Sequence, residues 1–193
     1  PSIECWAVAM NDLSTGYIYP EEVHFEINQN VLSDYRLAAD FLNVNRVELV
    51  CLQHEYGIFG GVEGSYILEL LTHLRMPVVT TLHTVLMNPS STQYSTLKRI
   101  VQVSDKVVVM SNKAGDILIS VYGVPREKIV YIPHGIPDVP FIDPNYYKDQ
   151  FGVEGKKVIL TFGLLSPGKG IENMIQALPM IVKEHPDTVY LIL

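Results

Sequence analysis

One rhythm constrains this chain more than anything else in it. Short runs of β-branched and other apolar residues at 47–52, 78–82, 106–110, 129–132, 157–162 and 189–193 are separated by stretches with helical periodicity. Each run is apolar almost throughout and does not alternate with polar residues, which is the pattern of strands covered on both faces. Between the runs, Val62, Tyr66, Ile67, Leu70, Leu71 and Leu74 fall on one helical stripe. Ala114, Ile117, Leu118, Val121 and Tyr122 form a second, and Ile171, Met174, Ile175, Leu178 and Val182 a third. Strands alternating with helices need right-handed crossovers, so the expected fold is α/β, a doubly wound, Rossmann-like parallel sheet with helices on both faces. The first quarter is less regular, with strand-like residues at 4–9 and 23–27 and a helix expected over 33–42, capped by Ser33.

The rhythm breaks once. Pro137, Pro140 and Pro144, followed by Gly152 and Gly155, mark residues 137–155 as a linker carrying one short helix. A first α/β domain is therefore expected over 1–136 and a second over 156–193, begun but not finished, because two strands and one helix do not close a core. With 48% hydrophobic and 18% charged residues the chain is expected to fold, and it has no uninterrupted apolar run of about 18 residues to cross a bilayer. A net charge of −7 without a Lys/Arg cluster offers no footprint for nucleic acid. Cys5 and Cys51 lie in apolar runs and read as reduced core residues, and no leader-like stretch follows Pro1, so the expected setting is cytoplasmic.

Of six histidines, three stand immediately past the end of an apolar strand: His54, His83 and His134. The carboxyl ends of a parallel sheet open onto one edge, where ligands bind, so these imidazoles are expected around one crevice. His83 follows Thr80-Thr81-Leu82, where a neutral ring would exchange hydrogen bonds with a sugar hydroxyl or be satisfied by backbone. His54 sits in Gln53-His54-Glu55-Tyr56-Gly57, a polar run in an apolar neighbourhood that reads equally as acceptor binding or as a strand-end network. In Pro133-His134-Gly135 the glycine would admit close approach of a ligand to the backbone, or simply make a turn. His24, His73 and His185 lack this placement.

Two glycine-rich turns precede helical stretches. Gly57, Gly60, Gly61 and Gly64 lead toward the stripe carrying Tyr66, where bare amides at a helix start would hold an anion. The second turn is sharper. The strand at 157–162 runs into Gly163-Leu164-Leu165-Ser166-Pro167-Gly168-Lys169-Gly170 and a helix from Ile171, which puts Lys169 at a positive helix end suited to a diphosphate. Gly163, Gly168 and Lys169 also approach the spacing of a nucleotide-binding P-loop, but Gly170 stands where that motif needs Ser or Thr for magnesium. A zinc hydrolase built on the three histidines is a further alternative, without His-Glu-x-x-His or paired-cysteine spacing to support it.

Two stretches resemble the retaining family 4 glycosyltransferases of the GT-B fold: Leu52-Gln-His-Glu-Tyr-Gly-Ile-Phe-Gly-Gly61 with Pro77-Val-Val-Thr-Thr-Leu-His-Thr84, and Ile132-Pro-His-Gly-Ile136 with Thr161-Phe-Gly-Leu-Leu-Ser-Pro-Gly-Lys-Gly170. The resemblance implies a metal-independent enzyme without a cofactor, moving sugar from a nucleotide-diphosphate donor to a carbohydrate or lipid-linked acceptor. It implies His83 as the catalytic histidine near the transferred sugar and Gly163, Lys169, His134 and Gly135 as donor-binding, with His134-Gly135 at the interdomain crevice. His54, Glu55, Gly60 and Gly61 would be acceptor-binding, with no metal ligands. Leu164 replaces an arginine common in the family, and the family's paired-glutamate motif would lie beyond Leu193, with its first strand before the strand at 4–9. The chain alone is therefore expected to be catalytically incomplete. A sugar- or nucleotide-binding module without transfer is the competing expectation.

Overall fold

The computed structural model describes residues 3–193, and the chain divides into two compact units, Pro1–Gly135 and Ile136–Leu193. The first unit opens with β1 (Ala7–Asn11) and β2 (Val23–Asn28), which pair in parallel as a separate two-stranded sheet. Helix α1 (Leu32–Val44) follows. A four-stranded sheet then holds β3 (Val50–His54), β4 (Val78–Leu82), β5 (Lys106–Val109) and β6 (Ile129–Tyr131), all parallel and side by side in chain order. Between them run α2 (Ile67–Leu71), α3 (Ser91–Val103) and α4 (Asn112–Ser120). The alternation read in the sequence thus becomes an α/β fold of the Rossmann-like class with parallel sheets.

Burial of the helical stripes drives this arrangement. Ile67, Leu68, Leu70 and Leu71 of α2 join Tyr35, Ala38 and Ala39 of α1 in one core. Leu97 and Val101 of α3 join Ile117 and Leu118 of α4 in a second, over Val107 and Val109 of β5. Each such leucine, isoleucine or valine contributes about 1.5–3 kcal/mol of transfer free energy. Helix α3 starts at a capping box: the Ser90 hydroxyl accepts from the Gln93 amide at 3.1 Å, and the Gln93 side-chain oxygen accepts from the Ser90 amide at 2.9 Å. The Ser-x-x-Gln spacing followed by Leu97, Ile100 and Val101 signals this helix in the sequence, yet the strand-led reading passes over it.

Four expectations need correction. Ser33 does not cap α1, which starts one residue earlier with Val31 at the cap position and no side-chain cap bond. The stripe from Val62 to Leu74 is mostly not α-helix, because positive φ at Gly61, Glu63 and Gly64 breaks its first half and leaves α2 only five residues. The strands are not uniformly covered on both faces, since β3 forms an edge of its sheet and alternates buried Leu52 and His54 with exposed Cys51 and Gln53. For that reason Cys51 is not a core residue; Cys5, which precedes β1, is exposed as well.

The second unit contains α5 (Pro144–Asp149), capped by the Asp143 carboxylate on the Asn145 amide at 2.9 Å, with proline at the start of the helix where its missing N–H loses nothing. Strands β7 (Lys157–Thr161) and β8 (Thr188–Ile192) pair in parallel around α6 (Ile171–Glu184). Val153 is the one buried hydrophobic side chain among the described residues of this unit.

Candidate functional site

The register of the four-stranded sheet delivers three histidines to its carboxyl edge. His54 is the last residue of β3 and pairs with Leu82, the last of β4, so His83 follows directly. The His83 amide donates to the His54 carbonyl at 3.0 Å, extending the ladder by one step. The Ile132 amide does the same toward Val109 at 3.0 Å, and two residues later His134 leaves the end of β6. The rings of His83 and His134 meet edge-on with centroids 6.4 Å apart. Both side chains are exposed.

His54 differs from these two. Its ring is wholly buried, stacked on Phe59 at 5.8 Å and met edge-on by Tyr56 at 5.2 Å. Neither ring nitrogen has a hydrogen-bond partner among the described residues. Burial pushes its pKa down from 6.5 to about 4; Glu55 opposes the shift and His83 adds to it. The ring is therefore neutral near pH 7. The expectation that His54 lines the crevice is corrected: strand alternation turns it inward, and the exposed neighbours Gln53 and His83 take the edge. The Tyr56 hydroxyl beside it is likewise buried, close to Tyr122 but with no hydrogen bond of ordinary geometry among the described residues. Burial raises its pKa, and Tyr122, whose own hydroxyl donates to the Leu86 carbonyl at 3.1 Å, reinforces the rise.

Two side chains on either side of His54 bind the segment directly after β4. Gln53 Oε1 lies 2.9 Å from His83 Nε2, and the Thr84 hydroxyl donates to Glu55 Oε2 at 2.6 Å. The other oxygen of Glu55 accepts from the Tyr56 amide at 2.9 Å. Glu55 is half-buried. Sequence reading put Glu55 here but assigned nothing to Gln53 or Thr84, although parity along β3 and β4 sets Gln53 on the side of His83.

Gly60 and Gly61 are held by packing. A Cβ on Gly60 would fall 1.9 Å from the Gln29 carbonyl oxygen, a distance no real side chain tolerates. The Gly60 amide donates to the Tyr35 hydroxyl at 2.9 Å, and that hydroxyl donates to the Gln29 carbonyl at 2.9 Å. Gly61 has a φ of +76°, and a Cβ there would meet the Tyr66 ring at 2.4 Å. The Tyr66 amide donates back to the Gly60 carbonyl at 3.0 Å. Within this turn the Gly60 amide is thus committed to Tyr35 and the Tyr66 amide to the chain reversal.

In the second unit the turn after β7 reads as expected. Gly163 has a φ of +107°, and its amide donates to the Leu193 carbonyl at 3.0 Å. The Lys169 ammonium lies 4.0 Å from where a Gly163 Cβ would stand. Lys169 makes no ion pair among the described residues and sits one residue before Gly170, the left-handed cap of the 14-residue α6. A cation thus stands over a glycine turn at a positive helix end, with Glu172 in the first helical turn. Gly135, at the end of the first unit, has open space where a Cβ would be. Among the described residues no three His, Cys, Asp or Glu side chains gather to hold a metal ion, and no helix is long and apolar enough to cross a membrane.

The sequence model of "Glycosyltransferase Family 4" matches residues 15–138. Spore coat protein SA of Bacillus subtilis (strain 168) is 30% identical over 92 residues, covering 42% of this chain and 24% of that protein. Putative glycosyltransferase YtcC of the same organism is 46% identical over 46 residues, covering 24% of this chain and 11% of that protein. Among solved structures, a glycosyltransferase from Rickettsia africae ESF-5 superposes with a TM-score of 0.62 at 21% identity, covering 88% of this chain and 46% of that one. Anabaena Alr3699/HepE, solved in complex with UDP and glucose, gives a TM-score of 0.63 at 17% identity, covering 86% and 46%. The chain therefore spans less than half the length of these relatives.

Proposed function

This chain belongs to glycosyltransferase family 4, and from that premise we propose that it serves a sugar transfer from a nucleotide-diphosphate donor to a carbohydrate or lipid-linked acceptor. The observation carrying the proposal is the pair of exposed imidazoles, His83 and His134, 6.4 Å apart at the carboxyl edge of a parallel sheet. In this reading His83 exchanges a hydrogen bond with a hydroxyl of the transferred sugar. Glu55 and the loop through Gly61 belong to the acceptor side. His134 and Gly135 belong to the donor side.

The second unit takes the leaving group. The bond from the anomeric carbon to the phosphate oxygen breaks, the nucleoside diphosphate departs with the electron pair, and the acceptor oxygen bonds to the same face of the sugar. The acceptor's proton passes to the departing phosphate, and configuration is retained. Lys169 over Gly163 and the N-terminus of α6 supply fixed positive charge for the diphosphate, so no metal ion or cofactor is invoked. The UDP and glucose in the Anabaena structure support a nucleoside-diphosphate donor. The exposed free cysteines favour a reducing, cytoplasmic setting.

The test gives the whole protein UDP-, GDP- and ADP-sugars with a sugar acceptor in the presence of EDTA, and follows nucleoside diphosphate release and the anomeric proton of the product. Release coupled to a product with the donor's configuration is expected. Binding of the nucleotide sugar without any release would replace the transferase by a binding module, and an inverted product would remove the retaining mechanism.

A further inference from the structure

Gln53 and His83 meet because of strand parity. Gln53 pairs in register with Thr81, and residues two apart along a strand share a face. His83, two past Thr81 with its amide still on the ladder, therefore projects on the Gln53 side. The glutamine is long enough to reach forward, and its Oε1 lies 2.9 Å from His83 Nε2. A carbonyl oxygen only accepts, so this contact is a hydrogen bond in the Nε2–H tautomer, which leaves Nδ1 its lone pair. Nδ1 makes no hydrogen bond among the described residues. The His134 ring flanks the same imidazole.

The contact has little value as a stability device. Both side chains are exposed, and holding a glutamine in one rotamer costs about as much as one neutral, solvated hydrogen bond returns. What it does fix is the plane and protonation pattern of the ring. We infer that Gln53 is a positioning residue for His83, holding it in one orientation as the Nε2–H tautomer, so that Nδ1 is the atom offered to a sugar hydroxyl. This deepens the role proposed for His83 and rests on it, but the tautomer is readable without turnover.

The first arm is 15N NMR of the imidazoles at pH 8, with His83 assigned from the signals lost in His83→Ala. Nε2 is expected to resonate as a protonated nitrogen and Nδ1 as a bare one. Gln53→Leu should move both His83 ring signals and leave His73 in place. Gln53→Glu, which keeps an acceptor at the same reach, should keep Nε2 protonated. A bare Nε2 in the native protein, or His83 signals unmoved in Gln53→Leu, overturns the inference. The second arm is kinetic, on the whole protein: Gln53→Leu should lower kcat roughly tenfold with KM little changed, as expected for an interaction that matters in the transition state. Gln53→Glu should recover most of that loss. Native kcat in Gln53→Leu overturns the positioning role. Full turnover in His83→Ala would instead strike the function proposed for His83 and leave the tautomer assignment to the NMR.

Discussion

Replacing His54 by leucine should make this protein more stable. The native ring is fully buried, and neither nitrogen has a hydrogen-bond partner among the described residues. A neutral imidazole has one donor and one acceptor to satisfy, and each buried polar group left unpaired costs about 1–3 kcal/mol. Leucine removes both and gives up the contacts with Phe59 and Tyr56, worth about 0.5–1.5 kcal/mol each as ring pairs. A net gain of about 1–2 kcal/mol at pH 7.5 follows. Acid should widen the gap. The folded-state pKa is depressed from 6.5 to about 4, so the unfolded chain binds the proton first. Stability is fully present above pH 6.5 and is lost as pH falls toward 4, by about 3 kcal/mol in total. The leucine variant lacks this loss. Urea unfolding of both proteins at pH 7.5, 5.5 and 4.5 measures the two effects separately. A variant that is less stable at pH 7.5 and shows the same acid slope as the native protein would refute the reasoning, since it would mean the nitrogens are paired in solution.

Tyr35→Phe should cost about 2 kcal/mol in urea unfolding, because the Gly60 amide and the Gln29 carbonyl both lose their partner; an unchanged midpoint would return the Gly60 amide to the candidates for ligand binding. Ser90→Ala should cost about 1 kcal/mol by removing one arm of the α3 capping box, and hydrogen exchange should show the loss concentrated at the start of that helix. Lys169→Ala should weaken nucleoside-diphosphate binding to the whole protein by roughly 1.5–3 kcal/mol in calorimetry, the scale of a charged hydrogen bond; unchanged affinity would remove Lys169 from the site.

Much of this fold is legible in the sequence because buried parallel strands and amphipathic helices carry different periods. The runs that become β3 to β8 and the stripes that become α4 and α6 announce themselves in that way. Local overrides are not legible. The positive φ of Gly61, Glu63 and Gly64 shortens α2, and the close approach of Tyr66 to Gly61 and of Tyr56 and Phe59 to Gly64 is invisible to periodicity. The histidine placement at strand ends could be read, but which faces point out could not. That depends on which face of β3 is covered: His54 lies on the buried face and Cys51 and Gln53 on the exposed one, which makes Gln53 rather than His54 the side-chain neighbour of His83. The glycine turn ahead of α6 was readable because strand, turn and helix follow one another within a few residues.

His83 carries the functional reading more than any other residue. Turnover of a nucleotide sugar by the whole protein should disappear in His83→Ala while circular dichroism and the urea midpoint stay native, since the side chain is exposed at a strand end. Undiminished turnover in that variant would contradict the assignment of sugar transfer to this edge of the sheet.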